Sequence, residues 1–243
     1  MARSGRRKKT AKGRRRPVPG GLWYRLRRWL WRGVVAVLAL FALSLLAYRW
    51  VNPSLTIYTW QEERRLGAIS HEPVPMARIA PVMARAAVAA EDANFCLHWG
   101  FDMSAIRDAI AEGGGRGAST VSQQVVKNVW LWHGRNWARK ALEAAITPLM
   151  EAAWPKRRVL EVYLNIAEFD EGVFGVEAAA RHYFGVGADA LSAVQAARLA
   201  AVLPDPKGRS AARPSAALRD RAAAIMDGAA TIARDGRAAC FED

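Results

Sequence analysis

Cysteine is scarce in this chain, which has only Cys96 and Cys240 among its 243 residues. The two lie far apart, and nothing in the sequence brings their Cα atoms within bonding distance, so a disulfide between them stays open. Alternating polar and apolar residues, the pattern of a half-buried strand, are missing over any useful length. The chain is therefore predicted to be mostly α-helical, and its 52% hydrophobic content excludes disorder throughout.

Acidic residues are missing from residues 1–32, a stretch that holds thirteen Lys and Arg. The remainder of the chain has 23 of the 36 basic residues and all 22 acidic ones, so its charges nearly cancel. The tail therefore accounts for nearly all of the net charge of +14. A domain that wraps nucleic acid would carry its charge across the folded part. No nucleic acid is therefore expected among the partners.

Charged residues are also missing from the run Gly33 to Tyr48, which has arginines and tryptophans at both ends. As a helix, this run measures about 24 Å, and its Arg and Trp flanks bring it to the width of a bilayer. We predict a transmembrane helix over residues 33–50. A cleaved signal peptide and a buried core helix are the alternatives, but no clear cleavage site follows and core helices rarely have Arg-dense flanks.

The basic tail predicts the topology of the chain. The positive-inside rule keeps residues 1–32 in the cytoplasm and puts the remainder on the other face of the membrane. The predicted localisation is the bacterial inner membrane, with a single pass, a cytoplasmic N-terminus and a periplasmic domain.

Prolines and glycines divide the remainder of the chain. Residues 51–81 contain four prolines and predict a linker and membrane-proximal segment, and residues 82–243 predict one domain. A glycine cluster at residues 113–117 predicts a flexible connection. Helices are predicted over Val82 to Glu91, Val176 to Tyr183, Leu191 to Leu203 (capped by Ser192 and stopped by Pro204) and Ser215 to Ile232.

An acidic pair, Glu91 and Asp92, ends the first Ala-rich helix, and His98 follows seven residues after Glu91. A carboxyl group against apolar neighbours has a raised pKa, which suits a general base or a general acid. Solvated acids at a helix end are the alternative interpretation.

A glycine loop leads into another helix through GASTVSQQVVKN, residues 117–128. Ser119 or Thr120 is the expected N-cap, and Thr120, Gln124 and Lys127 fall on one helix face. Free N–H groups at a helix start, with a lysine nearby, favour phosphate binding. An ordinary amphipathic helix with a solvated polar stripe explains the pattern equally well.

Three charges stand together further on, where Glu143 lies four residues after Arg139 and three after Lys140. Pairing at this spacing would keep Glu143 ionised, although a surface salt bridge has the same spacing. A candidate base, a set of cations and a helix start suited to a diphosphate together favour displacement of a phosphorylated leaving group.

Five segments resemble, in the same order, the motifs of the peptidoglycan glycosyltransferase family. They are AAEDANFCLHWGFD (89–102), GASTVSQQVVKN (117–128), RKALEAAITPLMEAAWPKRRVLEVYLN (139–165), IAEFDEGVFGVEAAARHYFG (166–185) and LSAVQAARLAAVLPDP (191–206). Chance agreement of all five is negligible. The resemblance implies a mostly α, lysozyme-like glycosyltransferase domain preceded by a single N-terminal transmembrane helix.

The resemblance also implies an activity, the polymerisation of peptidoglycan glycan strands. Glu91 matches the catalytic base, which takes the proton from the 4-hydroxyl of lipid II N-acetylglucosamine as that oxygen attacks the lipid-linked glycan. A β-1,4 bond forms with inversion, and undecaprenyl diphosphate leaves. Glu143 matches a second catalytic carboxylate. Substrate-binding or cleft-shaping positions match Asp92, His98, Ser119, Thr120, Gln123, Gln124, Lys127, Asn128, Arg139 and Lys140, whose three cations surround the donor diphosphate.

The implied partners are lipid II, the growing lipid-linked glycan and the membrane bilayer, with division or elongation proteins as further candidates. No cofactor is expected to be obligatory; Mg2+ or another divalent cation is a candidate at the donor diphosphate. Trp130, Leu131, Trp132 and Trp137 are candidates for contact with the bilayer surface, with core packing as the alternative. No Ser-x-x-Lys with its partner motifs follows, so polymerisation without peptide crosslinking is expected.

Three positions depart from the motifs of many relatives, which have a basic residue at Asn94, a second glycine at Ala118 and a glutamate at Gln195. The Ala118 variant and the IAEFDEGVFGVE segment are typical of the monofunctional branch. A lysozyme-like lytic enzyme and an inactive membrane scaffold are the competing functions. The cations argue against the first, because cutting needs no diphosphate site, and the two intact glutamates argue against the second.

Overall fold

A computed structural model describes residues 21–113, 119–134 and 136–242. Residues 1–20 of the basic tail, and residues 114–118 of the predicted glycine loop, lie outside the described residues. The contacts divide the chain into two compact units, one that ends at Ser44 and one that begins at Leu45.

The first unit is built on α1, the helix Leu22–Ala47, which has no buried residue. In the described part of the chain it is the one helix long and apolar enough to cross a membrane. Its 26 residues measure about 39 Å, more than the hydrocarbon core of a bilayer. The helix starts well before the predicted apolar run because the Arg- and Leu-rich residues ahead of Gly33 are themselves good helix formers.

The second unit is mostly helical, as predicted. Its described helices are α2 (Ile57–Leu66), α3 (Pro81–Glu91), α4 (Met103–Ala111), α5 (Val121–Trp130), α6 (Trp137–Ala153), α7 (Lys156–Ile166), α8 (Val176–Phe184), α9 (Ala193–Val202), α10 (Ala216–Arg234) and α11 (Ala239–Glu242). Short 3-10 turns occupy Met76–Arg78, Phe95–Leu97 and Ala188–Ala190. The predicted caps Thr120 and Ser192 are confirmed, since each accepts a hydrogen bond from the first turn of its helix, α5 or α9. Ser215, predicted as the start of the terminal helix, is the N-cap of α10.

The core of this unit is centred on α7. Eight of its eleven residues are buried, and α3, α5, α8 and α11 all pack against it. A second group consists of α3, α9 and α10, whose facing residues are mainly alanine. Small side chains let these helices approach closely: a Cβ added at Gly228 of α10 would lie 3.3 Å from the Cβ of Ala89. α3 therefore packs against α7 on one side and against α9 and α10 on another.

A small sheet completes the unit, with strands β1 (Ser70–His71), β2 (Glu168–Asp170) and β3 (Val173–Phe174) in the order β1-β3-β2. β1 runs parallel to β3, and β2 runs antiparallel to it. Strands of two or three residues are too short to produce a detectable alternation in the sequence.

The proline-rich segment between residues 51 and 81 is packed against this domain. It contains α2 and β1, and the buried Asn165 of α7 exchanges two hydrogen bonds of 2.8 Å with the backbone of Val74. At its start, the buried Arg158 donates to the carbonyls of Tyr48 and Val51 at 2.8 and 2.6 Å and to Asn52 Oδ1 at 2.6 Å. The chain that enters the domain is thus fixed by its hydrogen bonds.

Candidate active site

A cavity of about 640 Å³ opens where α3 ends and where α4 and α5 begin. α10 closes one of its sides. The lining residues are Ala89, Ala90, Glu91, Asp92, Ala93, Asn94, Asp102, Ala105, Ser119, Thr120, Gln124, Pro204 and Arg221. Five of the predicted site residues thus meet in one place, although they come from two separate sequence segments.

Glu91 is the last residue of α3 and stands partly buried in this cavity. Its Oε2 accepts a hydrogen bond of 2.8 Å from Gln124 Nε2 of α5. Burial raises the pKa of Glu91, while the Gln124 hydrogen bond and the charges of Arg221 and Lys127 act in the opposite direction. The raised pKa predicted from the apolar neighbours is therefore found, with desolvation as its main cause.

Asp92 caps α3 and is buried, with both of its carboxylate oxygens occupied by protein donors. His98 Nε2 donates to Oδ1 at 2.7 Å, and the backbone N–H of Val121 donates to Oδ2 at 3.0 Å. The interpretation of this acid as solvated is wrong, because it joins the end of α3 to the start of α5. Asp92 holds the two elements of the cavity together.

Asn94 stands where many relatives have a basic residue, and its side chain has a partner within the protein. Its Nδ2 donates to Asp102 Oδ2 at 2.8 Å, and Asp102 in turn caps α4 through Ser104 and Ala105. Burial opposes ionisation of Asp102, but these hydrogen bonds outweigh it and lower its pKa to about 2. Asn94 therefore helps to hold the Asp102 carboxylate in place at the cavity wall.

The start of α5 is fixed by a capping box. Thr120 Oγ1 accepts from the Gln123 N–H at 3.2 Å, and Gln123 Oε1 accepts from the Thr120 N–H at 3.1 Å. Thr120 Oγ1 also donates to the carbonyl of Gly100 at 2.7 Å. Gly100 has φ +90°, and a Cβ there would come within 2.6 Å of Thr147, so only glycine fits. Gln123 is buried in this cap and away from the cavity.

Glu143 of α6 is 2% exposed, and both of its oxygens are paired. Arg139 Nη1 donates to Oε2 at 2.6 Å, and Lys140 Nζ forms a short contact with Oε1. The surface-salt-bridge interpretation is therefore wrong for the carboxylate. Lys140 Nζ also donates to Ser119 Oγ at 3.2 Å, which joins this pair to the edge of the first cavity.

The charges of both glutamates, Glu91 and Glu143, act on the pKa of Lys127. Burial lowers its pKa; the charges of Glu143 and Glu91 raise it, and those of Arg139 and Lys140 lower it. In the next residue, Asn128, the side-chain Oδ1 is buried and has no hydrogen-bond partner among the described residues. A second cavity of about 340 Å³ is lined by Asn136, Trp137, Arg139 and Lys140.

The predicted membrane-surface residues separate into two groups. Leu131 is 4% exposed, and Trp130 packs against Trp154 with ring centroids 5.5 Å apart, so core packing explains these two. Trp132 and Trp137 are 39% and 90% exposed.

Arg221 was missed by sequence reasoning. It lies on α10, lines the cavity beside Glu91, and its buried Nε has no partner among the described residues. A signal was present, because Leu218, Ala222 and Ile225 form the buried stripe of α10 and Arg221 falls on the same face. An arginine within an apolar stripe indicates a buried or functional charge.

The fold is a mostly helical domain, and its candidate site combines a desolvated glutamate in a cavity with a buried glutamate that is paired with two cations. The family model for transglycosylases matches residues 60–230. The chain belongs to the transglycosylase family.

Proteins named biosynthetic peptidoglycan transglycosylase are similar to this chain along most of its length. The one from Jannaschia sp. is 63% identical over 216 residues, which cover 89% of this chain and 90% of the relative. The one from Rhodospirillum centenum is 48% identical over 223 residues, covering 88% and 96%. The one from Ectopseudomonas mendocina is 50% identical over 195 residues, covering 76% and 80%.

Proposed function

We propose that this chain polymerises peptidoglycan glycan strands at a membrane surface, with Glu91 as the general base and Glu143 as the organiser of the diphosphate-binding cations. The chain is a peptidoglycan glycosyltransferase, and its substrates are lipid II and the growing lipid-linked glycan. One observation carries the assignment of roles: a partly buried Glu91 with a raised pKa lines a cavity large enough for sugar rings.

In the proposed reaction, the ionised Glu91 accepts the proton of the 4-hydroxyl of lipid II N-acetylglucosamine. The freed oxygen forms a bond to the anomeric carbon of the glycan donor. The bond from that carbon to the diphosphate breaks, and undecaprenyl diphosphate leaves with the electron pair. Gln124 supports this role, because its N–H group orients the Glu91 carboxylate by donating to Oε2.

The leaving diphosphate gains negative charge as its bond breaks. Lys127, Arg139 and Lys140 supply the matching positive charge, and Glu143 holds two of them in place. The second cavity, which Arg139 and Lys140 line, is the proposed site of the diphosphate. The exposed Trp137 beside it suits contact with the polyprenyl chain or with the bilayer surface.

A divalent cation such as Mg2+ at the diphosphate stays a prediction. Among the described residues, no group of three His, Cys, Asp or Glu side chains could hold a metal ion. Both oxygens of Glu143 are already paired with cations. These residues do not fit a resident metal, and no step of the proposed mechanism is assigned to one.

The location that we propose is the inner membrane, with a cytoplasmic basic tail and a periplasmic catalytic domain. The apolar α1 and the asymmetry of positive charge support this topology. So does the Cys96–Cys240 disulfide, since disulfides persist in oxidising compartments outside the cytoplasm. Division or elongation proteins stay candidate partners.

The test is a polymerisation assay with purified full-length protein in detergent and labelled lipid-linked disaccharide-pentapeptide. Wild type should form long glycan, and Glu91→Gln should form none. Glu63→Gln is the matched control, because Glu63 is an exposed glutamate on α2, outside the cavity. The proposal fails if wild type makes no glycan, or if Glu91→Gln polymerises as fast as Glu63→Gln.

The same assay distinguishes the competing functions. Digestion of preformed glycan without synthesis would identify a lytic enzyme instead. Full complementation of a dependent strain by Glu91→Gln would identify an inactive scaffold.

A further inference from the structure

The end of the chain is attached to the turn that follows Glu91. Cys240 of α11 forms a disulfide with Cys96, and their Cα atoms lie 5.6 Å apart. The neighbouring Phe241 is 1% exposed and packs on Phe95, with ring centroids 6.3 Å apart. The pairing that the sequence left open thus connects residues 144 positions apart.

Polar contacts extend this attachment on both sides of the disulfide. Arg237 Nη1 donates to the carbonyl of Ala93 at 3.1 Å, and Asp235 pairs with Arg237 at 2.7 Å. At the other end, Glu242 accepts from Arg85 of α3 at 2.7 Å. Gly236, with φ +79°, lets the chain reverse between α10 and α11.

We propose that residues 235–242 form a C-terminal brace that positions Glu91, with the disulfide as its covalent part. The brace contacts α3 before Glu91 and the turn after it, and none of its residues lines the cavity. Its members are therefore positioning residues that act through the backbone. The inference rests on the proposed role of Glu91 as the base.

Without the disulfide, only noncovalent contacts would hold the brace, and such contacts can open and close. They are the burial of Ala238 and Phe241, the packing of α11 against α7, and a few polar contacts near the surface, of which the polar contacts are worth little individually. A covalent bond between distant segments suppresses local opening at its ends. Once the disulfide is reduced, residues 93–98 should open more often, and water should reach the Glu91 carboxyl.

The experiment compares oxidised full-length protein with the same protein after dithiothreitol. The reagent supplies the two electrons and two protons that convert the disulfide into two thiols, and it leaves as its own cyclic disulfide. At a temperature where circular dichroism shows the reduced protein fully folded, kcat should fall roughly three- to tenfold, with KM changed by less than about twofold. Because hydration lowers the raised pKa of Glu91, the acid limb of the kcat profile should move to lower pH.

Three variants separate positioning from stability. Cys96→Ser with Cys240→Ser should behave like reduced wild type and should not respond to dithiothreitol. In oxidised protein, Arg237→Gln should lower kcat by roughly twofold, because it removes the bond to Ala93 and the pair with Asp235 but leaves the disulfide intact. Arg234→Gln, which changes an exposed arginine at the end of α10, should leave kcat unchanged.

Hydrogen exchange tests the brace without relying on activity. Reduction should speed amide exchange in residues 93–98 and leave α5 unchanged. Free thiols in the oxidised, exported protein, or an unchanged kcat and pH profile after reduction, would overturn the inference. A lower melting temperature after reduction, with kcat unchanged, would also overturn the inference. Absence of polymer from oxidised wild type would instead overturn the proposed function. Hydrogen exchange in residues 93–98 would then still show whether the disulfide holds this turn closed.

Discussion

Glu91 and Glu143 are both helix glutamates in one small domain, but their surroundings differ. Glu91 has one amide donor, lines an open cavity and has a raised pKa because of burial. Glu143 is almost completely buried, and Arg139 and Lys140 occupy both of its oxygens. The first arrangement suits a group that exchanges a proton, and the second suits a group that holds two cations in place. Environment, and not residue type, separates the two roles.

The largest expected effect is that of Glu91→Gln, which removes the base and keeps the shape. We expect kcat to fall roughly 100- to 10,000-fold, the range that a general base contributes. The melting temperature should not fall, because the variant removes a desolvated charge and its amide oxygen can still accept from Gln124. Activity and thermal unfolding measured on the same preparation check both parts, with Glu63→Gln as control. A large drop in melting temperature would contradict this description of Glu91.

Glu143→Gln, unlike Glu91→Gln, should lower the melting temperature as well as the activity. Arg139 and Lys140 would lose the carboxylate that organises them, so activity should fall roughly 100-fold. The melting temperature should fall as well, since breaking a buried pair costs up to about 3–5 kcal/mol, and less here because solvent screens the 40% exposed Lys140 side chain. Differential scanning calorimetry measures the stability change. An unchanged melting temperature would remove the contrast with Glu91.

Gln124→Leu should sharpen the assignment of the base. The Gln124 hydrogen bond lowers the pKa of Glu91, so its loss should raise that pKa further. The base acts when ionised, so the acid limb of the kcat/KM profile should move to higher pH. At neutral pH the rate should fall roughly three- to tenfold. The exposed Gln61→Leu is the control, and an acid limb that does not move would mean that another group titrates.

Arg221→Gln should give the smallest effect, in the same direction as Gln124→Leu. The Arg221 charge also lowers the pKa of Glu91, but it is a smaller cause than the Gln124 hydrogen bond. We expect a rate loss of roughly two- to fivefold and a smaller move of the acid limb to higher pH. Arg219→Gln, two residues away and exposed, is the control. A shift equal to that of the control would remove Arg221 from the site.

Local patterns predicted much of this domain, and long-range contacts decided the rest. The caps Thr120, Ser192 and Ser215 were predictable because a capping hydrogen bond spans only two or three residues. The ion pair of Glu143 with Arg139 was predictable for the same reason. The burial of Glu143, and the ties of Asp92 to α5, depend on packing between distant helices.

By itself, the sequence determined the long apolar helix α1, the mostly helical domain and the residue types of the site. These follow from composition, from periodicity and from motifs within short segments. The tertiary structure alone placed Arg221 beside Glu91 and joined Cys96 to Cys240, because those partners are separated by more than a hundred residues. Local sequence patterns do not indicate which distant residues come into contact. The packing of α10 against α3 and of α11 against α7 brings these partners together.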